Sequence, residues 1–321
     1  MGQAPGGGTL ADLRALRGYL GYVAETTGLE VCFNDFTGHL RSDPEFNRQF
    51  DAFLIHRNSH CMAIKSTRAL WDRCLEKKCA LMEKCGRERS PYYGMCYAGR
   101  EEYVFPVIVD SFVAGCLSAG GFERNGPLSH RRLERTAEGN GLDAGRLAAA
   151  RMEGLCRPDP GPASLERLFG IAVEFLRLHY ERLARERGGL FLEREANVSR
   201  RAYLLAHAAE YLRRHYAERV SGASLASFCH CSVSTLSHHF ASFFGKSVRA
   251  YLSDIRIGRA RNLLLTTDLA VTTIAMDVGF ADSNYFSRVF TRTQGLSPRA
   301  YRAGRGLPPP GIPPRSARAG T

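Results

Sequence analysis

Residues 272–302 read TTIAMDVGFADSNYFSRVFTRTQGLSPRAYR. Ile274, Ala275 and Val278, with Phe280 just beyond, are apolar at helical spacing, which predicts a short helix with one buried face. Gly279-Phe280-Ala281 reads as a turn. Asp282 then stands as the N-cap of a second helix, its carboxylate accepting from first-turn N–H groups. That helix has its own apolar set, Phe286, Val289 and Phe290, and leaves Ser283, Asn284, Ser287 and Arg288 on another face. Two short helices at a fixed angle, the second with small polar and basic side chains near its start, are what reading a DNA major groove requires. Gly295 suits a helix C-terminus, and Ser297-Pro298 opens a further short helix with Pro at its first position. A helical hairpin in an unrelated core accounts for any one of these features, but poorly for all of them at these spacings.

The flanking sequence repeats the pattern. Tyr203 to Ala217 is an amphipathic helix. Ser224 is placed to cap Leu225–His230, and after a turn at Cys231-Ser232-Val233 a second helix runs from Ser234 to Gly245. Cys229 and Cys231 lie close to His230, a grouping that on its own could suggest a metal site. Ser247 to about Thr266 reads as one helix, with Val248, Tyr251, Leu252, Ile255, Leu263 and Leu264 on its buried side. At ~1.5 Å per residue such a helix spans about 30 Å, close to the ~34 Å between successive major-groove faces on one side of B-DNA.

The pattern Ile274-Ala275, Gly279-Phe280, Asp282, Tyr285-Phe286, Arg288, Phe290, Gly295, Ser297-Pro298 and Tyr301-Arg302 closely resembles the C-terminal signature of AraC/XylS-type transcription regulators. The resemblance implies an all-α C-terminal domain with two helix-turn-helix units joined by a long helix. Carried over residue by residue, it places the DNA-binding side chains at Ser234, Thr235, Ser237 and His238 in the first unit. In the second they fall at Ser283, Asn284, Ser287, Arg288 and Arg292. Asn pairs bidentately with adenine and Arg with guanine, each worth ~1–3 kcal/mol of discrimination. Arg288 is also a signature position, which leaves a phosphate contact open. His238 stands where many relatives have Arg. Arg292, Arg299 and Arg302 suit phosphate contacts or packing within the domain. The resemblance also implies double-stranded DNA and RNA polymerase as partners and most often activation, with repression open.

Composition agrees. The 321 residues carry a net charge of +12, and that length accommodates two domains and a linker. Residues 197–305 hold 15 Lys and Arg against 6 Asp and Glu, a net +9 in about a third of the chain, which suits phosphate contacts. No apolar run approaches the ~20 residues of a membrane helix. The start, MGQAPGGGTL, lacks the regions of a signal peptide, and Gly6 stands where a myristoylation signal wants Ser or Thr. A cytoplasmic protein without membrane attachment is expected, its ten cysteines reduced rather than in structural disulfides.

At the other end, Leu10 to Tyr22 is a predicted helix. Leu29–Asn34 reads as a strand, and Asp35-Phe36-Thr37-Gly38 as a turn into a second short strand at His39–Arg41. A polar, helical stretch follows from Pro44 to Cys85. Glu102–Val109 and Phe112–Ala119 form a β-hairpin turning at Asp110-Ser111. This predicts one antiparallel sheet with helices across a face, a cup able to hold a small molecule. The stretches Cys61–Ser66, Arg73-Cys74, Tyr93–Gly99 and Phe105–Asp110 look like the PocR sensory domain, described as PAS-like. That resemblance implies a small organic effector, with short diols and related hydrocarbon derivatives proposed. Tyr97 departs from the family, which often has His there. Tyr93, Cys96, Tyr97 and Tyr103 are the candidate pocket residues, although ordinary sheet aromatics read the same way.

Cys61, Cys74, Cys79, Cys85 and Cys96 crowd one stretch after His56 and His60. Converging thiolates can hold zinc or an iron–sulfur cluster, with Cys61, Cys74, Cys79 and Cys96 the candidates, or act as redox groups. Buried cysteine as a small apolar residue is the simpler reading, because the Cys-x2-Cys spacing of zinc knuckles is missing.

Between the ends, short helices are expected at Arg131–Glu138 and Asp143–Leu155, then a longer one from Ser164 to about Arg187. Its apolar seam (Leu165, Leu168, Ala172, Phe175, Leu176 and His179) suits either a dimer helix or packing on its own sheet. Gly188-Gly189 marks a hinge.

Altogether the sequence predicts an α+β protein. A start at 1–9 without order precedes a PocR-like sensor at 10–126 and a helical connector, a candidate dimerisation helix, at 127–196. A DNA-binding domain at 197–305 and a disordered tail at 306–321 follow. The expected function is effector-controlled, sequence-specific transcription regulation as a homodimer, the alternative being a metal-, cluster- or thiol-redox-responsive regulator. Without a phosphate loop, nucleophile elbow or HExxH pair, enzyme activity is not expected.

Overall fold

Leu13, Leu16, Leu20 and Val23 recur at helical spacing because they form the buried stripe of α1 (Gly8–Thr27). The computed structural model describes residues 8–41, 43–155, 157–187 and 196–304. These divide into one unit running up to His207 together with Ser242–Gly245, and a second comprising the remaining residues from Ala208.

In the first unit, β1 (Glu30–Asp35) ends on a buried carboxylate that organises the next turn. Asp35 accepts from the N–H groups of Thr37 (3.0 Å), Gly38 (3.1 Å), Leu40 (3.0 Å) and Arg41 (3.3 Å), and from the Thr37 hydroxyl (2.7 Å). The strand expected at His39–Arg41 is therefore absent: the residues turn, with the Leu40 and Arg41 N–H groups held by Asp35. The polar stretch forms α2 (Pro44–Phe50), a 3-10 turn at Asp51–Phe53, α3 (Ser59–Ile64) and α4 (Arg68–Glu88). Three strands follow, β2 (Tyr92–Met95), β3 (Glu101–Val109) and β4 (Phe112–Gly120). The sheet order is β1-β4-β3-β2, antiparallel throughout. Val109 pairs with Phe112, so the expected two-residue turn forms, with Asp110 at φ 53°. β2 was not anticipated, since four residues containing Gly94 carry little strand signal.

Helices cover both faces of this sheet, where the sequence suggested one. Tyr103, Phe105 and Val107 point into a core shared with α1 and α7 (Pro162–Arg187), and Phe105 stacks on Phe169 at 5.0 Å. The alternate residue Val104 joins Cys85 of α4 and Cys116 of β4 on the opposite face. In chain order α5 (Gly126–Glu138) and α6 (Ala144–Glu153) come after these strands and before α7. The α7 seam is used within the unit: Leu165, Phe169, Ala172, Leu176 and Tyr180 are buried in the sheet's core, and the Tyr180 hydroxyl donates to Asp35 at 2.9 Å. Of the two readings of that seam, packing on its own sheet is the one observed. The proposed hinge at Gly188-Gly189, the start before Gly8 and the tail from residue 306 lie outside the described residues.

Glu30 ties β1 to the α3 cap and the sheet. Its carboxylate accepts from the Arg57 N–H, the Asn58 N–H (2.9 Å) and side chain (2.7 Å), and Arg100 (2.5 Å). Burial alone would raise its pKa, but Arg100, His56 and the bonds from Arg57 and Asn58 outweigh that and hold it at about 2. A carboxylate depressed on folding stabilises fully above its unfolded pKa and progressively less as pH falls towards the folded value. Relative to Glu30→Gln, the unit should therefore lose on the order of 3 kcal/mol between pH ~4.5 and ~2. Urea titrations followed by the emission of Trp71, the only tryptophan, would show parallel pH profiles for the two proteins if Glu30 plays no such part.

The second unit is helical throughout its described residues. It takes in α8 (Ala196–Arg214) from Ala208 onward, α9 (Gly222–Phe228), α10 (Val233–Phe244) up to Ala241, α11 (Val248–Thr266), α12 (Val271–Asp277), α13 (Ser283–Gln294) and α14 (Pro298–Ala303). The α9 cap is Ser221, not Ser224. The Ser221 hydroxyl accepts from the Ser224 N–H (3.0 Å) and the Ser224 hydroxyl from the Ser221 N–H (3.2 Å), a reciprocal box that puts Ser224 at the third helical position. Ile257, Ala260 and Leu264 of α11 pack with Ile274, Ala275, Val278, Phe280, Phe286, Val289, Phe290 and Tyr301. No helix among the described residues is long and apolar enough to cross a membrane.

Candidate functional site

Gly279 fixes the turn between α12 and α13. Its φ is +91°, and a Cβ there would lie 2.7 Å from the Tyr216 carbonyl oxygen and 2.8 Å from that of Ala217, so only glycine fits without displacing backbone. Asp282 caps α13 as expected, accepting from the Asn284 N–H at 2.8 Å. Phe286, Val289 and Phe290 are buried, while Asn284, Arg288 and Arg292 are exposed and Ser283 and Ser287 half-buried. The Ser287 hydroxyl donates to the Ser283 carbonyl at 2.9 Å, which turns its lone pairs outward as acceptors. Gly295, at φ 76°, ends the helix.

The α9–α10 pair is built alike. The Ser232 hydroxyl accepts from the Thr235 N–H (3.1 Å) and pairs with the Thr235 hydroxyl (2.8 Å), starting α10. Leu236 and Phe240 are buried, leaving Ser234, Thr235, Ser237 and His238 exposed. One concave surface of the second unit brings together Ser237 of α10 and Arg288 of α13, with Arg219, Arg249, Arg256, Ser221, Ser247 and Asp282 also in its lining. Arg256 is structural there: it donates to the Tyr216 (2.7 Å) and Glu218 (2.9 Å) carbonyls. Arg302 likewise donates to the Leu269 carbonyl at 2.5 Å, whereas Arg299 is exposed.

The first unit holds a cavity of about 70 Å³ that is partly open to solvent. Of the residues named as pocket candidates from the sequence, Cys96 and Tyr97 line it. Tyr93 and Tyr103 do not: Tyr103 falls on the other face of β3, its hydroxyl 3.1 Å from Asp159, and Tyr93 donates to Glu101 at 2.8 Å. The cause is the period of two along a strand, which turns Glu102 into the cavity and Tyr103 away from it. The Tyr97 hydroxyl donates to the Leu70 carbonyl (2.9 Å) and lies 3.0 Å from the Cys74 sulfur.

Sequence reading missed the charged groups of this cavity: His56, Lys65, Lys77 and Glu102 all line it. Glu102 meets His56 Nε2 at 3.2 Å and Lys77 Nζ at 2.7 Å. Burial would push the Glu102 carboxyl up, but Lys77 and His56 hold it well below the usual range. Burial, with Arg100, brings the His60 imidazole down to about 4. Two glutamates opening an otherwise apolar strand were the available signal. Of the metal candidates, Cys61, Cys74 and Cys96 line the cavity while Cys79 is exposed and outside it. Among the described residues no three His, Cys, Asp or Glu side chains converge to hold a metal ion, so nothing here supports the metal or cluster alternative.

Residues 225–304 match a family described as "Helix-turn-helix domain". The HTH-type transcriptional activator RhaS of Escherichia fergusonii is 40% identical over 114 residues, 36% of this chain and 40% of that protein. The protein of the same name from Citrobacter koseri is 34% identical over 197 residues, 60% of this chain and 65% of its own length. The arabinose operon regulatory protein of Escherichia coli K12 is 42% identical over 98 residues, 30% of this chain and 34% of that protein. Each alignment thus spans less than two thirds of the relative's length. Among solved structures, the DNA-binding domain of AdpA, "the global transcriptional factor, in complex with a target DNA", aligns with 31% identity and a TM-score of 0.30, covering 31% of this chain and 90% of that one.

Proposed function

We propose, on the premise that the C-terminal part of this chain belongs to the AraC/XylS type of helix-turn-helix domain, that the protein is a sequence-specific transcription regulator, acting as an activator, controlled by a small organic effector bound in its N-terminal unit. The observation that carries the DNA side is the concave, arginine-lined surface shared by α10 and α13. In this reading α9–α10 and α12–α13 are two helix-turn-helix units. The 19 residues of α11 separate them by about 28 Å at ~1.5 Å per residue, suited to adjacent major-groove segments on one side of the duplex. Ser234, Thr235, Ser237 and His238 face one segment. Ser283, Asn284, Ser287 and Arg288 face the other, and Arg292 contacts the phosphate backbone. RNA polymerase, a second copy of the chain and a cytoplasmic setting complete the proposal.

Arg288→Ala tests it. Against a site selected from random duplexes, the variant should bind ~1–3 kcal/mol more weakly and lose preference at one base pair. A uniform loss across sequences with a shallower salt dependence would make Arg288 a phosphate contact instead. Equal binding by both proteins would remove it from the interface.

On the input side, the proposed PocR-like, PAS-like sensor (residues 10–126) supports the cavity between α3, α4 and β3 as the effector site. Its lining joins Ile55, Ile64, Leu75 and Leu81 to the charged group around Glu102, the mixture of apolar wall and few oriented polar groups typical of small-ligand sites. An effector that binds one conformation of the unit more tightly shifts the population towards it, and that differential affinity is the regulatory signal.

A further inference from the structure

The cavity wall carries a thiol, an imidazole and a carboxylate in sequence. Cys61 and His56 line the same cavity, and His56 Nε2 lies 3.2 Å from Glu102. Glu102 in turn is held by Lys77 at 2.7 Å, and Lys65 donates to the His56 carbonyl at 3.2 Å, which fixes the residue from its backbone side. All five side chains line one cavity, and Cys61 and Glu102 are buried. No part of DNA recognition uses them. The order thiol, imidazole, carboxylate is that of an activated sulfur nucleophile, in which the carboxylate orients the ring and the ring exchanges the thiol proton. Burial by itself would push the Cys61 thiol up, but His56, with Lys65 and Arg100, draws it below its ordinary range. The His56 imidazole is correspondingly raised despite burial, by Cys32, Glu102 and Cys61.

We propose that Cys61 captures a small aldehyde reversibly in this cavity, with His56 as the proton donor and Glu102 as the residue that positions it. Cys61 transfers its proton to His56 and its sulfur attacks the carbonyl carbon. A C–S bond forms as the C=O π pair moves to oxygen, and the His56 imidazolium protonates that oxygen. The product is a neutral hemithioacetal that needs no oxidant or reductant and releases the aldehyde by the same steps reversed. The walls formed by Ile55, Ile64, Leu75 and Leu81 accept a short alkyl chain, and they favour the aldehyde over its hydrate by withholding water from the second hydroxyl. This inference rests on the cavity being the effector site and adds the chemistry by which it discriminates.

The test uses the full-length protein with butyraldehyde labelled with carbon-13 at the carbonyl, and 1-butanol as the non-electrophilic match. Carbon NMR of the wild type should show a protein-bound sp3 hemithioacetal carbon that disappears on dilution. The signal should be missing from Cys61→Ser, and His56→Gln, which keeps the thiol, should form it at least tenfold more slowly. Thermal shift on each variant verifies folding. A bound aldehyde with no hemithioacetal carbon, or equal shifts by butyraldehyde and 1-butanol in wild type and Cys61→Ser, would overturn covalent capture while leaving the cavity as an effector site. An identical hemithioacetal signal in Cys61→Ser would assign the chemistry to another thiol and also overturn it. Binding of neither compound, with no new carbon signal, would overturn it too. Loss of the effector response in cells from a cavity-filling Ile64→Trp variant separately tests the underlying site.

Discussion

Asp35→Ala is expected to destabilise the N-terminal unit by on the order of 4 kcal/mol, among the larger effects available to one substitution. The carboxylate is fully buried and is the acceptor for four backbone N–H groups, the Thr37 hydroxyl and the Tyr180 hydroxyl. Alanine removes every acceptor at once and leaves donors in a site that water reaches poorly, each costing ~1–3 kcal/mol where no new partner is found. The loss is below the sum of these terms because the 36–41 turn can open to solvent. Tyr180→Phe removes one hydrogen bond to a charged group and should cost ~1.5–3 kcal/mol. Since Tyr180 belongs to α7 and Asp35 to β1, a double-mutant cycle followed by Trp71 emission in urea measures how far α7 is bound to the sheet. Strict additivity of the two changes would show that the bond between them contributes nothing.

Phe286→Ala should cost ~3–5 kcal/mol in the C-terminal unit. The ring is fully buried, 5.2 Å from Phe280 and 5.6 Å from Phe290, in the cluster that joins α11, α12, α13 and α14. Cavity formation here should loosen the angle between α12 and α13 before it unfolds the unit. Affinity for DNA should therefore fall at temperatures where circular dichroism still reports full helix content. Arg288→Ala, two residues along on the exposed side, should do the reverse: weaker specific binding at unchanged melting temperature. A Phe286→Ala protein with wild-type melting and wild-type binding would show that α13 is oriented from outside this cluster.

The contrast between these two sites explains how far the sequence could be read. In the C-terminal unit the informative spacings lie within single short helices. Apolar residues three and four apart, a capping Asp282 and a glycine in the turn each report on local geometry, and together they marked α12, α13, their connection and the exposed residues between the buried ones. The Ser221 cap was misplaced by one turn because Ser224 is an equally good capping type. Only the reciprocal bond between the two tells which of them starts the helix.

In the N-terminal unit, the helix α1, strand β1, the β3–β4 hairpin and the α7 seam were legible from periodicity. What α7 packs against was not, since an apolar stripe states that a face is buried and says nothing of its partner. The same holds for Tyr93 and Tyr103, whose residue type suited a pocket but whose strand parity turned them away from it. Cys61, His56, Lys77 and Glu102 are scattered over more than forty positions of the chain. They meet because α3, α4 and β3 pack around one cavity. By itself, then, the sequence determined the helical C-terminal unit and the side chains it exposes, because those depend on neighbours a few residues apart. The charged, thiol-bearing cavity was decided only by tertiary packing, because burial and the pairing of distant charges arise where separate elements meet.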